Sequence, residues 1–260
     1  MSEPTEDQPH GVFLGSLLRR GRDGFTGTLR ADGAVSGTVT LAEGRVIAAS
    51  TAVAPGPESL LLRSGRLAEA DWTAAYTDAA PEGRLAEELL KRGLLGEVSL
   101  QVLTLKALTD AVFAMAICGV QTCVATPPSP DELPPLLPAA PGLTTRALAD
   151  ETTRRLASAS RWAAKGLTVD TYLFRTTDSP APATINGRRT PRDLAFLWGQ
   201  GLYATLYTLA DLLASTHITT SDSPRLTPPP TPIPLTPETL PQRQKGTSPV
   251  NTFLPFRPPS

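Results

Sequence analysis

Histidine and cysteine are both scarce in this 260-residue chain, and each shortage excludes something. There are two histidines: His10, in an acidic and polar start, and His217, near the end of an expected helix. No G-x-S-x-G elbow accompanies His217, so a Ser-His-Asp hydrolase centre of that kind has no nucleophile. Glu87 and Glu88 are adjacent on an expected helix and face different directions, which spoils them as an acid and base pair. Cys118 and Cys123 have no nearby histidine and make no zinc site; they read as small buried hydrophobes in a reducing compartment. A phosphate-cradling G-x-G-x-x-G or G-x-x-x-x-G-K-S/T loop is missing. The expectation is a chain with no enzymatic activity, metal or cofactor. An excess of one charge is also missing: 24 Lys+Arg stand against 25 Asp+Glu. Nothing global therefore draws the chain to nucleic acid or to an anionic membrane. No run reaches the roughly 18 apolar residues of a membrane span, and the start is no signal peptide. The chain reads as cytoplasmic.

Hydrophobic residues make up 40% and charged residues 19%, which suits a folded protein with some irregular sequence. The charge is divided along the chain. Residues 1–142 hold 11 Lys+Arg against 17 Asp+Glu, a net of −6; residues 143–260 hold 13 against 8, a net of +5. Such asymmetry suggests halves with separate tasks, or halves that attract each other.

Residues 1–10 read as disordered, and residues 11–20 as a short amphipathic helix. Residues 25–30, 37–41 and 45–50 alternate, joined by Asp32-Gly33 and Glu43-Gly44, and predict a three-stranded antiparallel meander. Gly33 and Gly44 are read as turn positions needing positive φ, and Gly27 and Gly37 as bulges or close backbone approaches. Helices are expected over 58–64, 67–75, 84–92 and 97–118. The last carries Leu100, Leu103, Leu105, Leu108, Val112, Phe113 and Met115.

The order GVFLGSLLRR, then GFTGTLR, then GTVTLAEGRVIAA, then LLLRSG resembles the PATAN domain family over residues 11–125. Gly27, Gly37, Glu43-Gly44-Arg45 and Ala48-Ala49 carry most of the likeness. Members of that family occur in bacterial signalling proteins. The resemblance implies a sheet with helices, and a front half that senses or docks a partner protein.

Residues 126–142 contain seven prolines and read as a semi-rigid linker and domain boundary. Beyond it, 144–165 is an expected helix, and 169–175 and 183–185 are candidate strands. Residues 185–217 carry the motif around which the rear half is organised. Thr190 is an expected N-cap with Pro191 at the first helical position. Gly199-Gln200-Gly201 stops that helix, and a second follows over 202–214 with Leu202, Leu206, Leu209 and Leu213 on one face. Two helices joined by a short glycine turn form a helix-turn-helix signature. With a hairpin expected from 217–220 and 225–227, residues 143–227 resemble a winged helix-turn-helix of the MarR-like type. The fold class is therefore α+β, a meander with helices followed by a winged helix-turn-helix domain. Residues 228–260 read as a disordered Pro-rich tail, in which Phe253, Leu254 and Phe256 are candidate docking residues.

The resemblance makes DNA the first expected partner, contacted by Arg188, Arg189, Thr190, Arg192, Tyr203, Tyr207 and Thr208. Arginines at such positions hold phosphates and fix position without reading sequence. Against this, Ala204, Tyr207, Thr208 and Asp211, opposite the leucine stripe, include no cation, whereas base readers commonly use Arg, Lys, Asn or Gln. The expected function is a transcriptional regulator whose PATAN-like half senses or docks while its winged helix binds DNA; the alternative is a non-enzymatic signalling adaptor whose winged helix takes protein. No membrane contact is expected, and 144–165 offers a flanking helix for a homodimer.

Overall fold

The structure, a computed structural model, describes residues 11–129 and 133–223. The expected disorder at both ends, His10, the strand at 225–227 and the docking residues near the end lie outside the described residues. Gly11–Arg22 (α1) lays Phe13, Leu14 and Leu17 into the core, all fully buried. Gly27–Gly33 (β1), Gly37–Ala42 (β2) and Arg45–Thr51 (β3) form the expected antiparallel meander. Its alternation decides the faces. Leu29 opposes Val39, which opposes Ala49, so one face is apolar; Thr28 opposes Thr40 on the other. Glu43 and Gly44 both take positive φ at the β2–β3 turn, as a two-residue hairpin requires.

Gly33 departs from its expected role. It lies inside β1 without positive φ, and a Cβ there would strike the carbonyl of Gly119. Gly37 is a close approach as expected: a Cβ there would meet Met115 Sδ.

Pro57–Arg63 (α2), Glu69–Ala79 (α3) and Leu85–Lys91 (α4) make a small helical cluster around Leu61, Trp72, Leu85 and Leu89. Glu97–Cys118 (α5) follows. Its 22 residues make it long and apolar enough, by length and average composition, to cross a membrane, although Lys106 and Asp110 interrupt it and it holds no unbroken apolar run of about 18 residues. The most apolar window is 72% buried inside the fold, so α5 has the all-round hydrophobicity of a central core helix. Leu100 and Leu103 face the helical cluster; Leu108, Val112, Phe113 and Met115 face the sheet and the rear half.

Val120–Thr126 (β4) then pairs antiparallel with β1, and Leu143–Thr144 (β5) with β3. The meander thus becomes a five-stranded sheet, ordered β4-β1-β2-β3-β5. Thr145–Ala163 (α6) packs against α1 and α5. Tyr172–Arg175 (β6) and Ile218–Ser221 (β7) form a separate two-stranded sheet. Between them lie Pro191–Trp198 (α7) and Leu202–Ala214 (α8). Residues 183–185, a candidate strand from sequence, form no strand: 183 and 184 are a turn.

The described residues all fall within one compact unit. Phe13, Leu29 and Phe113 share a hydrophobic cluster with Leu148, Leu173, Leu194 and Leu206. The proline-rich segment, read from sequence as a spacer, is laid against the front half where it is described. Leu137 is buried in the helical cluster, Ala139 N–H donates to the Ile47 carbonyl at 2.7 Å, and Arg45 donates to the Gly142 carbonyl.

Candidate helix-turn-helix surface

The α7–α8 pair is set up locally. Thr190 caps α7 reciprocally: its Oγ1 accepts from Asp193 N–H at 3.3 Å, while Asp193 Oδ2 accepts from Thr190 N–H at 2.9 Å. Pro191 occupies the first turn, and Gly199 closes α7 in the left-handed conformation at φ 60°. A Cβ on Gly199 would collide with Arg63 and Ser64, so α7 ends directly on α2. Leu202, Leu206 and Leu209 are fully buried on one face of α8, and Leu213 is half-buried. Tyr207, Thr208 and Asp211 are exposed on the other, Tyr207 at 65%.

A residue 92 positions away fixes the start of α8. Asp110, buried on α5, accepts from the backbone N–H of Leu202 and, at 3.0 Å, from that of Tyr203. It therefore satisfies two of the amides that a helix N-terminus leaves open. Arg155 of α6 donates to Asp110 Oδ1 at 3.4 Å and to Glu151 Oε1 at 2.7 Å, and its guanidinium lies 4.7 Å over the Tyr203 ring. Tyr203 also meets Phe113 edge-on at 5.4 Å and Trp162 at 5.5 Å. Burial pushes the Asp110 carboxyl above its ordinary range, opposed by the two backbone donors and Arg155. Burial likewise lowers the Arg155 pKa, opposed by Asp110. Sequence reading passed over Asp110. The available signal was a lone carboxylate inside the apolar stretch from Leu105 to Cys118, which asks for a partner.

The residues expected to contact DNA do not share one surface role. Arg188 is exposed. Arg189 is half-buried and donates to the Thr184 carbonyl at 3.0 Å. The Thr190 hydroxyl is committed to its cap, and Tyr203 to the aromatic cluster. Thr208 Oγ1 donates to the Ala204 carbonyl at 3.1 Å, and Tyr207 is exposed, its ring meeting that of Trp162 edge-on at 6.3 Å. Much of the rear half's positive charge on α6 is matched locally, Arg146 by Asp150 at 3.1 Å, and Arg154 and Arg155 by Glu151.

Arg192 turns elsewhere. It is half-buried, has no hydrogen-bond or ion-pair partner among the described residues, and borders a cavity of about 620 Å³. That cavity lies between the end of α5, α6, residues 167–170 and α7. Cys118 also lines it; burial pushes its thiol up to about 11, with Asp170 adding and Arg192 opposing. Both cysteines are free thiols. A second cavity, of about 600 Å³, runs along the threonine face of the sheet under residues 133–137. Among the described residues no group of three His, Cys, Asp or Glu could hold a metal ion. Compared with protein-family models, curated proteins and solved structures, the chain matches none of them.

Proposed function

We propose that this chain is a non-enzymatic signalling adaptor whose helix-turn-helix is a protein-docking surface set on a PATAN-like front half. One observation carries the reading: the first turn of α8 is tied to α5 through Asp110, while the outward face of that helix, Tyr207, Thr208 and Asp211, offers no cation. A DNA-reading helix of this type presents its N-terminal residues to base edges. Here those residues are Leu202 and Tyr203, and they are spent on packing. Asp211 on the same face repels phosphate. Tyr207, a large amphipathic ring exposed at 65%, is the kind of side chain that anchors protein interfaces.

The runner-up is a MarR-like transcriptional regulator. It is favoured by the order α6-β6-α7-α8-β7 and by the exposed Arg188 beside the α7 cap. A salt series separates the two. Fluorescence anisotropy of a random-sequence duplex with the full chain is followed from low to physiological salt. A regulator binds non-specifically at about 10⁻⁴–10⁻⁶ M at physiological salt, and log K falls linearly with log salt. The adaptor reading requires no saturable binding at any salt. Saturable binding whose log K falls with log salt, with the slope reduced by about one unit in Arg188→Ala, refutes it and favours the regulator.

A further inference from the structure

We infer that the cavity between the end of α5, α6 and the start of α7 binds a small amphipathic carboxylate, an aliphatic chain ending in a single carboxylate, with Arg192 as its counter-ion. This goes beyond the proposed function, because neither protein docking nor DNA contact requires a small ligand.

The volume, about 620 Å³, is that of a small-molecule site, which commonly spans roughly 300–1,000 Å³. Its walls come from separate parts of the chain: Val35 in the β1–β2 turn, Val53 after β3, Ile117 on α5, Trp162 on α6, Leu167 beyond it and Leu206 on α8. Val53, Leu167 and Leu206 are buried and form the back of the cleft, whereas Val35, Ile117 and Trp162 are only half-buried and leave apolar surface facing it. An aliphatic chain lying in the cleft covers that surface.

The polar groups on the lining are Cys118, Ser160, Thr168, Asp170 and Arg192, of which two are charged. Arg192 is the only cation among the lining residues. It is half-buried and lacks a partner among the described residues, so part of its hydration is lost without return. A carboxylate offers the two oxygens that a guanidinium fork engages at once. The other charge on the lining, Asp170, is exposed and keeps its water. With Arg192 the one cation on the lining, a single negative group on the ligand is balanced and a second is not, which points to a monocarboxylate. Cys118 stays a neutral thiol at physiological pH, so no further anion faces the headgroup.

The test is calorimetric titration of the full chain with dodecanoate below its micelle concentration. Dodecan-1-ol is the neutral comparison and dodecyltrimethylammonium the cationic one. One equivalent of dodecanoate binds, the alcohol about tenfold more weakly and the ammonium weaker still. Arg192→Gln brings dodecanoate down to the level of the alcohol and leaves the alcohol unchanged. Ala163 is exposed and lies on the lining. Ala163→Trp therefore fills the mouth with little risk to folding, which circular dichroism checks, and it abolishes both isotherms. Equal affinity for acid and alcohol, indifference to Arg192→Gln, undiminished binding by Ala163→Trp, or no binding by the native chain each overturns the inference.

Discussion

Asp110→Ala removes one side chain and, with it, the tie between the central helix and α8. The amides of Leu202 and Tyr203 lose their acceptor in a place where water is scarce, because Leu202 is fully buried. A buried donor left without a partner costs about 1–3 kcal/mol. Arg155 loses less. Its contact with Asp110 is long at 3.4 Å, and it keeps Glu151 at 2.7 Å and the Tyr203 ring. Two orphaned amides and a weakened ion pair together cost about 3–5 kcal/mol, the range for breaking a buried pair from one side. Urea unfolding, followed by far-ultraviolet circular dichroism and by tryptophan fluorescence, reads the loss as a lower midpoint at unchanged slope. The two probes should move together, since α5, α6 and α8 share one hydrophobic cluster. Amide exchange at Leu202 and Tyr203 should rise selectively. A loss under about 1 kcal/mol refutes the reasoning. So does a variant in which the rear half melts separately while the front half stays folded.

Three smaller perturbations follow from the same geometry. Thr190→Ala strips the reciprocal cap from α7 and should cost about 1 kcal/mol in the same assay; no measurable loss would mean that α7 is held by α2 and the core alone. Gly37→Val drives a side chain toward Met115 Sδ and the Ser50 carbonyl, and since the carbonyl cannot swing away it should cost about 1–3 kcal/mol by thermal melting. An unchanged melting temperature would show that β2 and α5 are not in close contact. With its thiol pKa at about 11, Cys118 is about 10⁻³ thiolate at pH 8. In a Cys123→Ser background its alkylation should rise about tenfold per pH unit between pH 8 and 10. A plateau below pH 9 would contradict the burial that raises the pKa.

Local chemistry was legible because its causes are local. The run Thr190-Pro191-Arg192-Asp193 announces a helix start through a hydroxyl, a fixed φ and a carboxylate within four residues, and Gly199 announces its end. The β2–β3 turn is equally plain at Gly44, a residue type that accepts positive φ, whereas nothing in the Glu43 side chain announces that it does the same. The leucine spacing of α8 marked its buried face without help from any other part of the chain. β4 was harder: Val120 to Thr126 does not alternate, with Cys123, Val124 and Ala125 in succession, and it follows a helix directly and runs into prolines, so only pairing with β1 makes it a strand.

Tertiary structure alone decided the rest. Asp110, Arg155 and Tyr203 are separated by 45 and 48 positions, and nothing in residue spacing says that they meet. The proline-rich segment has a linker's composition, yet β5 directly after it pairs with β3, and α1, α5 and α6 close a single core over both halves. Hydrophobic periodicity states which face of an element is buried but not against which neighbour. That choice is made by long-range packing, and here it draws the first turn of α8 inward, leaves Tyr207 outside and sets Arg192 beside a cavity.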